Sequence, residues 1–336
     1  MKAATYKHYG PPEVLQIKEI EKPKPKDNEV LIRMQATAVC SGDVRLRKPE
    51  PPILARLMNG LISPKQPILG MEIAGVIEAI GKKVTQFRVG DDVMGSTNSY
   101  GGTYAEYICI PSDGVLAIKP DSLSFQEAAV VFFGGHTALH FLRKGRIQKG
   151  DHLLIYGASG SLGTSAVQLA KYFGAEVTAV CSGGNAKLVR SLGADHVIDY
   201  TQQDFTKNGM IYDIIFDTQG KSPFWGSIRS LKKGGYYLQS VAINFHRIIN
   251  GLIANITSGR KIVGGVAHER REDLVFLRDL VIAGKLKPVI DRIYPLDQIV
   301  AAHRYVEGGH KRGNVVVSII PSEIGSSKLN RKNEVE

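Results

Sequence analysis

The stretch His152-Leu-Leu-Ile-Tyr-Gly157-Ala-Ser-Gly160-Ser-Leu-Gly163 joins two segments of different hydrophobic periodicity through three glycines. Residues 152–156 form a mostly apolar run, as expected of a strand buried on both faces. After the glycines, apolar residues recur at helical spacing and share one face. These residues are Leu162, Ala166, Leu169, Ala170 and Phe173. The stretch therefore predicts a strand, a tight turn and a helix, in that order.

The turn between this strand and this helix has the composition of a dinucleotide site. Small residues allow the backbone to approach a pyrophosphate, and the N–H groups at the start of the helix then face its charge. A tight turn with a purely structural role is the alternative. The residues predicted to bind the cofactor here are Gly157, Ala158, Ser159, Gly160, Ser161, Leu162 and Gly163.

Further strand candidates alternate with amphipathic helices on the carboxyl side of this stretch. They span residues 176–181, 196–200, 212–217, 235–240 and 261–266. Apolar strands separated by helices indicate a parallel sheet, because right-handed crossover helices must cover both of its faces. The pattern predicts an α/β, doubly wound domain over residues 123–286.

The remainder of the chain is rich in short alternating strands. Such strands occupy residues 1–122 and return at 290–293 and 314–319, with one short helix between them near 296–306. The economical interpretation is a β-rich domain over 1–122 that residues 287–320 complete. Residues 321–336 lack apolar periodicity, so we expect them to be disordered.

Charge and cysteine usage limit the class of protein. There are 43 lysines and arginines against 32 aspartates and glutamates, giving a net charge of +11. The surplus is spread out, without a basic tract interleaved with aromatic residues, so we expect no nucleic acid partner. The positive surplus could serve either to keep the protein soluble or to bind a polyanionic small ligand. No segment resembles a membrane span or a signal peptide. The three cysteines, Cys40, Cys109 and Cys181, are odd in number and far apart, which argues against a disulfide framework and for a reducing compartment. We therefore expect a cytoplasmic protein.

The choice of dinucleotide depends on the end of the second strand of this domain, about 20 residues beyond the glycines. An NAD-selective site would place an acidic residue there to bind the ribose hydroxyls. The sequence has Ser182 instead, followed by Lys187. Both side chains can donate to a 2′-phosphate, which favours NADP(H), although they could also be a helix cap and a solvated lysine.

With these features the chain resembles the zinc-independent, quinone oxidoreductase-like branch of the medium-chain dehydrogenase/reductase superfamily. The resemblance covers residues 1–320 and rests on several motifs: Gly10-Pro-Pro-Glu-Val-Leu, Val30-Leu-Ile-Arg, Cys40-Ser-Gly-Asp43, Pro67-Ile-Leu-Gly70-Met-Glu72, Gly90-Asp-Asp-Val, the glycine turn, residues 191–200 and Gly284-Lys-Leu-Lys-Pro. It implies a GroES-like β-rich catalytic domain, a Rossmann domain and a cleft between them. In similar NADPH-binding members a tyrosine at the position of Tyr200 joins the 2′-phosphate contacts.

The residues at the zinc positions depart from those of zinc-dependent relatives. Cys40 matches the first ligand of such enzymes, but Met71 replaces the histidine of their Gly-His-Glu motif with a thioether, a poor zinc ligand. Residues 128–135 offer no third ligand, and three cysteines cannot form a four-cysteine structural site. We therefore expect no metal, with Cys40 as a packed thiol and Glu72 as a retained carboxylate.

Without zinc, hydride transfer to a conjugated acceptor is easier than alcohol oxidation, because negative charge spreads onto the acceptor oxygen. The expected substrate is a small-molecule quinone or an α,β-unsaturated carbonyl compound. The resemblance implies that Ser240, Val241, Val266, Lys311 and Asn314 lie near the nicotinamide. It also places Asp43 and Arg45 in the catalytic region; relatives often have a tyrosine where Arg45 stands. Arg45 could donate to the acceptor oxygen or be a surface cation near phosphate.

Two other functions remain as alternatives, a zinc-type alcohol dehydrogenase and a dinucleotide-binding protein without turnover. His136 and His140 lie four residues apart, which is more typical of a packed helical face than of a proton relay. Members of this family commonly dimerise through an edge strand of the Rossmann sheet, which implies a homodimer formed through residues 261–266.

Overall fold

The computed structural model describes residues 1–49, 56, 60–98, 101–240 and 245–319. The expected disordered segment 321–336 and the predicted cofactor residue Val241 lie outside the described residues. The strands are β1 Lys2–Thr5, β2 Gln16–Glu19, β3 Glu29–Val39, β4 Glu72–Ile80, β5 Asp92–Ser96, β6 Tyr107–Pro111, β7 Leu116–Ile118, β8 His152–Tyr156, β9 Glu176–Cys181, β10 His196–Asp199, β11 Tyr212–Asp217, β12 Leu231–Gln239, β13 Lys261–Gly264, β14 Ile290–Pro295 and β15 Asn314–Ser318.

Helices connect most of these strands in the second half of the chain. They are α1 Ser41–Arg47, α2 Phe125–Ala128, α3 Phe132–Lys144, α4 Ser161–Tyr172, α5 Ala186–Ser191, α6 Phe224–Arg229, α7 Phe245–Thr257, α8 Arg271–Ile282 and α9 Ile299–Glu307. Among the residues described, no helix combines the length and the apolar character needed to cross a membrane.

The first sheet has seven strands, in the order β14-β15-β3-β4-β5-β7, with β6 also paired to β3. Its pairings are antiparallel except that between β14 and β15. Strand β15 lies beside β3, with Val315 opposite Val39. The strands near the carboxyl end thus join the sheet that the amino-terminal strands begin, and this sheet carries α1 directly after β3.

The second sheet has six parallel strands in the order β10-β9-β8-β11-β12-β13. The strand order reverses between β8 and β11, and ligands of such sheets bind at the carboxyl ends of the strands beside this reversal. The predicted fold class, a GroES-like β-rich domain with a doubly wound Rossmann domain, is confirmed.

Strand β8 shows why its sequence is a continuous apolar run. Leu153 and Ile155 are fully buried in the core that contains α3 and α4, whereas Leu154 is fully buried in the core on the opposite face of the sheet. Alternate side chains of one strand therefore enter two cores, which a strand buried on both faces requires. This packing fixes the position of the glycine turn that follows Tyr156.

Candidate active site

Two adjoining cavities lie between the sheets. The large cavity, of about 560 Å³, lies against α1 and the first turn of α4, and Thr218 and Ser240 line it just beyond the carboxyl ends of β11 and β12. The small cavity, of about 340 Å³, follows the glycine turn past the end of β9. Both are lined by Gly160, Gln219, Lys221, Gly309 and Lys311. They form a continuous cleft at the place where this sheet topology binds ligands.

The glycine turn is shaped by close backbone approach. Gly157 has a φ of +82°, and a Cβ atom there would lie 2.4 Å from the Gln219 side chain. A Cβ atom on Gly163 would lie 2.2 Å from the carbonyl oxygen of Gly157, so only glycine allows α4 to pack this closely. Gly160 caps α4 without a side-chain hydrogen bond. The first N–H groups of α4 consequently have no side-chain cap, as an anion site at a helix start requires.

The predicted cofactor residues of this turn have different surroundings. Ser159, Gly160, Ser161 and Leu162 line the cleft. Ala158 is fully buried and its N–H donates to the carbonyl of Val180 at 3.1 Å, so its contacts are with the protein. The turn is also held from the other sheet, because Gly313 N donates to the Ser159 carbonyl at 2.8 Å.

The end of β9 forms the polar side of the small cavity. Ser182 lines it, and the Asn185 amide donates to the hydroxyls of Ser182 (3.0 Å) and Ser159 (3.1 Å). Tyr200, which is 51% exposed, lines it as well. Lys187 is exposed on the first turn of α5, outside the set of residues that line this cavity.

Two basic side chains of the small cavity are absent from the residues that the sequence predicts to bind the 2′-phosphate. His310 and Arg312 reach it from the connection between α9 and β15, which is more than 100 residues from Ser182 in the chain. The spacing of motifs contains no signal for them, because only the packing of the two sheets brings this connection to the end of β9. A cation at this position suits a phosphate group.

Asp43 is a buried residue of α1, the helix that forms one wall of the large cavity. Its carboxylate is fully buried and accepts hydrogen bonds from Cys40 N (2.9 Å) and Gly70 N (3.0 Å). Burial raises the pKa of Asp43, although these hydrogen bonds oppose the shift. These hydrogen bonds hold the start of α1 and the backbone at Gly70 together, and the catalytic role predicted for Asp43 remains a prediction.

Arg45 lies two residues further along α1 and is exposed at the large cavity. Lys48 and Lys221 line the same cavity, while Glu307 lies 3.6 Å from Lys48. The guanidinium of Arg45 therefore stands at the mouth of a cleft in which positive side chains predominate. This position is compatible with both roles considered for it, a donor to an acceptor oxygen or a cation near phosphate.

Three ionisable groups in or directly behind the cleft wall lie in a poorly solvated setting. Glu72 is buried, accepts a hydrogen bond from Phe133 N at 3.2 Å, and has its pKa raised to about 8 by burial. Burial also raises the pKa of the Cys40 thiol well above its usual value. The Lys311 ammonium donates to the Gly313 carbonyl at 2.8 Å, and burial lowers its pKa to about 8.

The other predicted cofactor residues also have defined positions. Ser240 lines the large cavity and its hydroxyl donates to the Thr218 carbonyl at 3.4 Å. Asn314 is buried, and its side-chain amide donates to the Val289 carbonyl at 3.0 Å and accepts from the Ser161 hydroxyl. Both of these hydrogen bonds are made within the protein. Val266 is 74% exposed after β13. Their roles toward a cofactor remain predictions.

The histidine pair on α3 takes part in packing. His136 is 2% exposed and stacks on Phe132 with ring centroids 5.0 Å apart. Burial lowers the pKa of His136 to about 4, so the ring is neutral near pH 7. In the described part of the chain, no group of three or more His, Cys, Asp or Glu side chains is placed to hold a metal ion.

Two family models and several curated relatives match this chain. The family model of the alcohol dehydrogenase GroES-like domain matches residues 26–120, and that of the zinc-binding dehydrogenase matches 192–317. The chain is 31% identical to 2-methylene-furan-3-one reductase of Solanum lycopersicum, over 96% of this chain and 80% of that protein. It is 30% identical to the chloroplastic NADPH-dependent alkenal/one oxidoreductase of Arabidopsis thaliana, with the same coverage.

A solved structure of a quinone oxidoreductase is similar to this chain over nearly its whole length. The quinone oxidoreductase from Coxiella burnetii superposes with a TM-score of 0.86 and 32% sequence identity, covering 95% of this chain and 99% of that one. The similarity therefore extends across both sheets and the cleft between them. The chain belongs to the medium-chain dehydrogenase/reductase superfamily, in its quinone oxidoreductase-like branch.

Proposed function

We propose that this protein is an NADPH-dependent reductase of quinones or α,β-unsaturated carbonyl compounds. The large cavity carries the proposal, because the glycine turn, Arg45 and Lys311 converge there at the reversal point of the parallel sheet. The relatives named above as a furanone reductase and an alkenal/one oxidoreductase support this class of acceptor. When bound, NADPH supplies the hydride, and the protein supplies orientation and charge.

The shape of the cleft fits a dinucleotide. We assign the pyrophosphate to the uncapped start of α4, at Gly160, Ser161 and Leu162, where backbone N–H groups favour an anion. We assign the 2′-phosphate to the small cavity, between Ser182, Tyr200 and the cations Arg312 and Lys221. Further candidate contacts of the cofactor are Lys187, Ser240, Val266 and Asn314.

Turnover of a panel of acceptors tests this function. We expect NADPH consumption, followed by absorbance, with quinones, alkenals or enones, and unchanged rates after treatment with a metal chelator. One zinc per chain together with ethanol oxidation would instead identify a zinc-type alcohol dehydrogenase. NADPH binding without turnover of any acceptor would identify a binding protein.

Cofactor selectivity gives the first quantitative prediction. NADPH should bind at least tenfold more tightly than NADH, because two charge-assisted hydrogen bonds of about 1.5 kcal/mol or more each exceed the 1.4 kcal/mol that corresponds to tenfold. Ser182→Asp should narrow or reverse this ratio by repelling the 2′-phosphate. Calorimetric dissociation constants for both cofactors provide the measurement. Ser191→Asp, on an exposed position of the same segment, is the matched control, and equal constants in the wild type would refute the assignment.

We also propose a homodimer. Strand β13 is the edge of the parallel sheet, and the neighbouring helix α7 exposes four apolar side chains at helical spacing, Ile249, Leu252, Ile253 and Ile256. The edge is partly capped by its own chain, since Ile262 N donates to Asn255 Oδ1 at 2.8 Å. The apolar stripe on α7 is therefore the stronger support for a symmetric interface with a second copy.

Light scattering at micromolar concentration should give twice the monomer mass. Leu252→Glu should lower that mass to the monomer value, because it places a charge in the apolar stripe. A monomeric wild type would refute the interface.

The domain limits and the cellular location remain proposals. We place a GroES-like domain at residues 1–122, completed by 287–320, and a Rossmann domain at 123–286. Cys40, Cys109 and Cys181 are free thiols, which supports a reducing compartment, and we propose the cytoplasm.

A further inference from the structure

The proposed reaction needs a proton as well as a hydride. Hydride addition to an enone leaves an enolate, and addition to a quinone leaves a phenolate, each of which must be protonated. A guanidinium donates hydrogen bonds but does not release a proton at neutral pH, so Arg45 cannot supply it. The donor must be sought among the other residues that line the large cavity.

Lys311 is the side chain of that cavity whose placement best suits proton transfer. It lines both cavities, at the junction between the glycine turn and the wall formed by α1. The connection that carries it is fixed on both sides of the side chain. Arg312 N donates to Asp291 Oδ2 at 2.8 Å, and Gly313 N donates to the Ser159 carbonyl at 2.8 Å. The ammonium itself donates to the Gly313 carbonyl at 2.8 Å, which leaves N–H groups available to another acceptor.

The charges around Lys311 come from every element that packs near it. Negative or ionisable acidic groups are Cys40 at the start of α1, Glu72 on β4 and Asp291 on β14. The other charged or titratable side chains that line the two cavities are Arg45, Lys48, Lys221, Glu307, His310 and Arg312. Burial, the largest cause, lowers the pKa of Lys311 to about 8, although Cys40, Glu72 and Asp291 act in the opposite direction. An acid in this range is protonated at neutral pH yet releases a proton readily.

We propose that Lys311 is the general acid that protonates the reduced acceptor. This inference rests on the proposed function and adds a catalytic residue to it. The acceptor takes the hydride at its β-carbon, and its π-electron pair moves toward the carbonyl oxygen. One N–H bond of the Lys311 ammonium then breaks, its electron pair stays on nitrogen, and the proton joins the enolate. Water entering through the open cleft returns a proton to the amine before the next turnover.

Two substitutions separate proton donation from positive charge. Lys311→Arg keeps the charge but loses the transferable proton, and Lys311→Met loses both. Each should lower kcat with an enone by about 100-fold, the usual contribution of a general acid. The wild-type kcat should fall as pH rises above 8, because the acid form is lost, and this fall should be absent from both variants. Lys285→Met, at an exposed position after α8, is the matched control and should behave as the wild type.

A second measurement does not depend on turnover. Acetic anhydride acetylates only the neutral amine, so peptide mass spectrometry of the wild-type protein should show acetylation of Lys311 rising with a midpoint near pH 8. A midpoint at the ordinary lysine value of about 10.4 would overturn the proposal. Wild-type kcat in Lys311→Arg would overturn it too.

The outcomes also separate this proposal from the function on which it rests. If the wild type reduces no quinone or enone, the proposed function fails and the acid role fails with it. If the wild type is active and Lys311→Arg equals it, only the acid role fails. If the variants keep kcat but bind NADPH much more weakly by calorimetry, Lys311 is a phosphate ligand and the acid role is overturned.

Discussion

Replacing Asp217 with alanine is expected to destabilise the protein by about 3–5 kcal/mol, because it removes the acceptor of a buried hydrogen-bond network. The carboxylate is fully buried at the end of β11. Its two oxygens accept from the backbone N–H groups of residues 219–222 at 2.7–3.3 Å, from the Ser222 hydroxyl at 2.8 Å and from the Tyr237 hydroxyl at 3.0 Å. Alanine would leave these donors without their acceptor.

The loop held by Asp217 also forms part of the cleft. Thr218, Gln219 and Lys221 line the large cavity, so loosening the loop should weaken NADPH binding as well as lower stability. Urea unfolding followed by circular dichroism measures the first effect and calorimetry the second. Thermal unfolding should shift by on the order of 10 °C.

A matched control for this substitution lies in the preceding connection. Asp204→Ala removes an exposed carboxylate that accepts from Thr206 N at 3.0 Å and from the Thr206 hydroxyl at 2.8 Å. Water can replace that acceptor, so the change in stability should be much smaller. Equal losses in the two variants would contradict the importance assigned to the Asp217 network.

Replacing Arg45 with alanine should lower kcat for an enone by about 10- to 100-fold, equivalent to roughly 1.4–2.7 kcal/mol of transition-state stabilisation. Negative charge develops on the acceptor oxygen during hydride transfer, and a guanidinium at the mouth of the cavity stabilises it electrostatically. The affinity for NADPH should change little. Steady-state kinetics at saturating NADPH, with calorimetry of the cofactor, measures both quantities.

Other results would give Arg45 a different role. Strongly weakened NADPH binding with unchanged turnover at saturating cofactor would make it a phosphate contact. Unchanged kinetics in both respects would make it a solvated surface residue. Arg88→Ala, at an exposed turn between β4 and β5, controls for the loss of one positive charge and should leave both quantities unchanged.

Local sequence determined the parallel-sheet domain, because its signals come from neighbouring residues. The apolar run 152–156 marks a strand buried on both faces, and the glycines after it are required by contacts within one turn, such as that between Gly163 and the Gly157 carbonyl. The absence of an acidic residue at Ser182 is equally local. The fold class and the expected preference for NADPH therefore follow from short stretches of the chain.

The tertiary structure decided which distant side chains line each cavity, beyond those that the family resemblance had placed near the nicotinamide. Arg312 reaches the small cavity beside Ser182, and Lys311 reaches the neighbourhood of Cys40, because β15 pairs with β3 and its preceding connection is tied to the glycine turn. The structure also brings Asp43 to the backbone of Gly70, 27 residues further along the chain, where its carboxylate accepts a hydrogen bond. Periodicity and spacing encode the local geometry of strands and helices, but contacts between residues hundreds of positions apart, and the desolvation that shifts their pKa values, arise only when the two sheets pack.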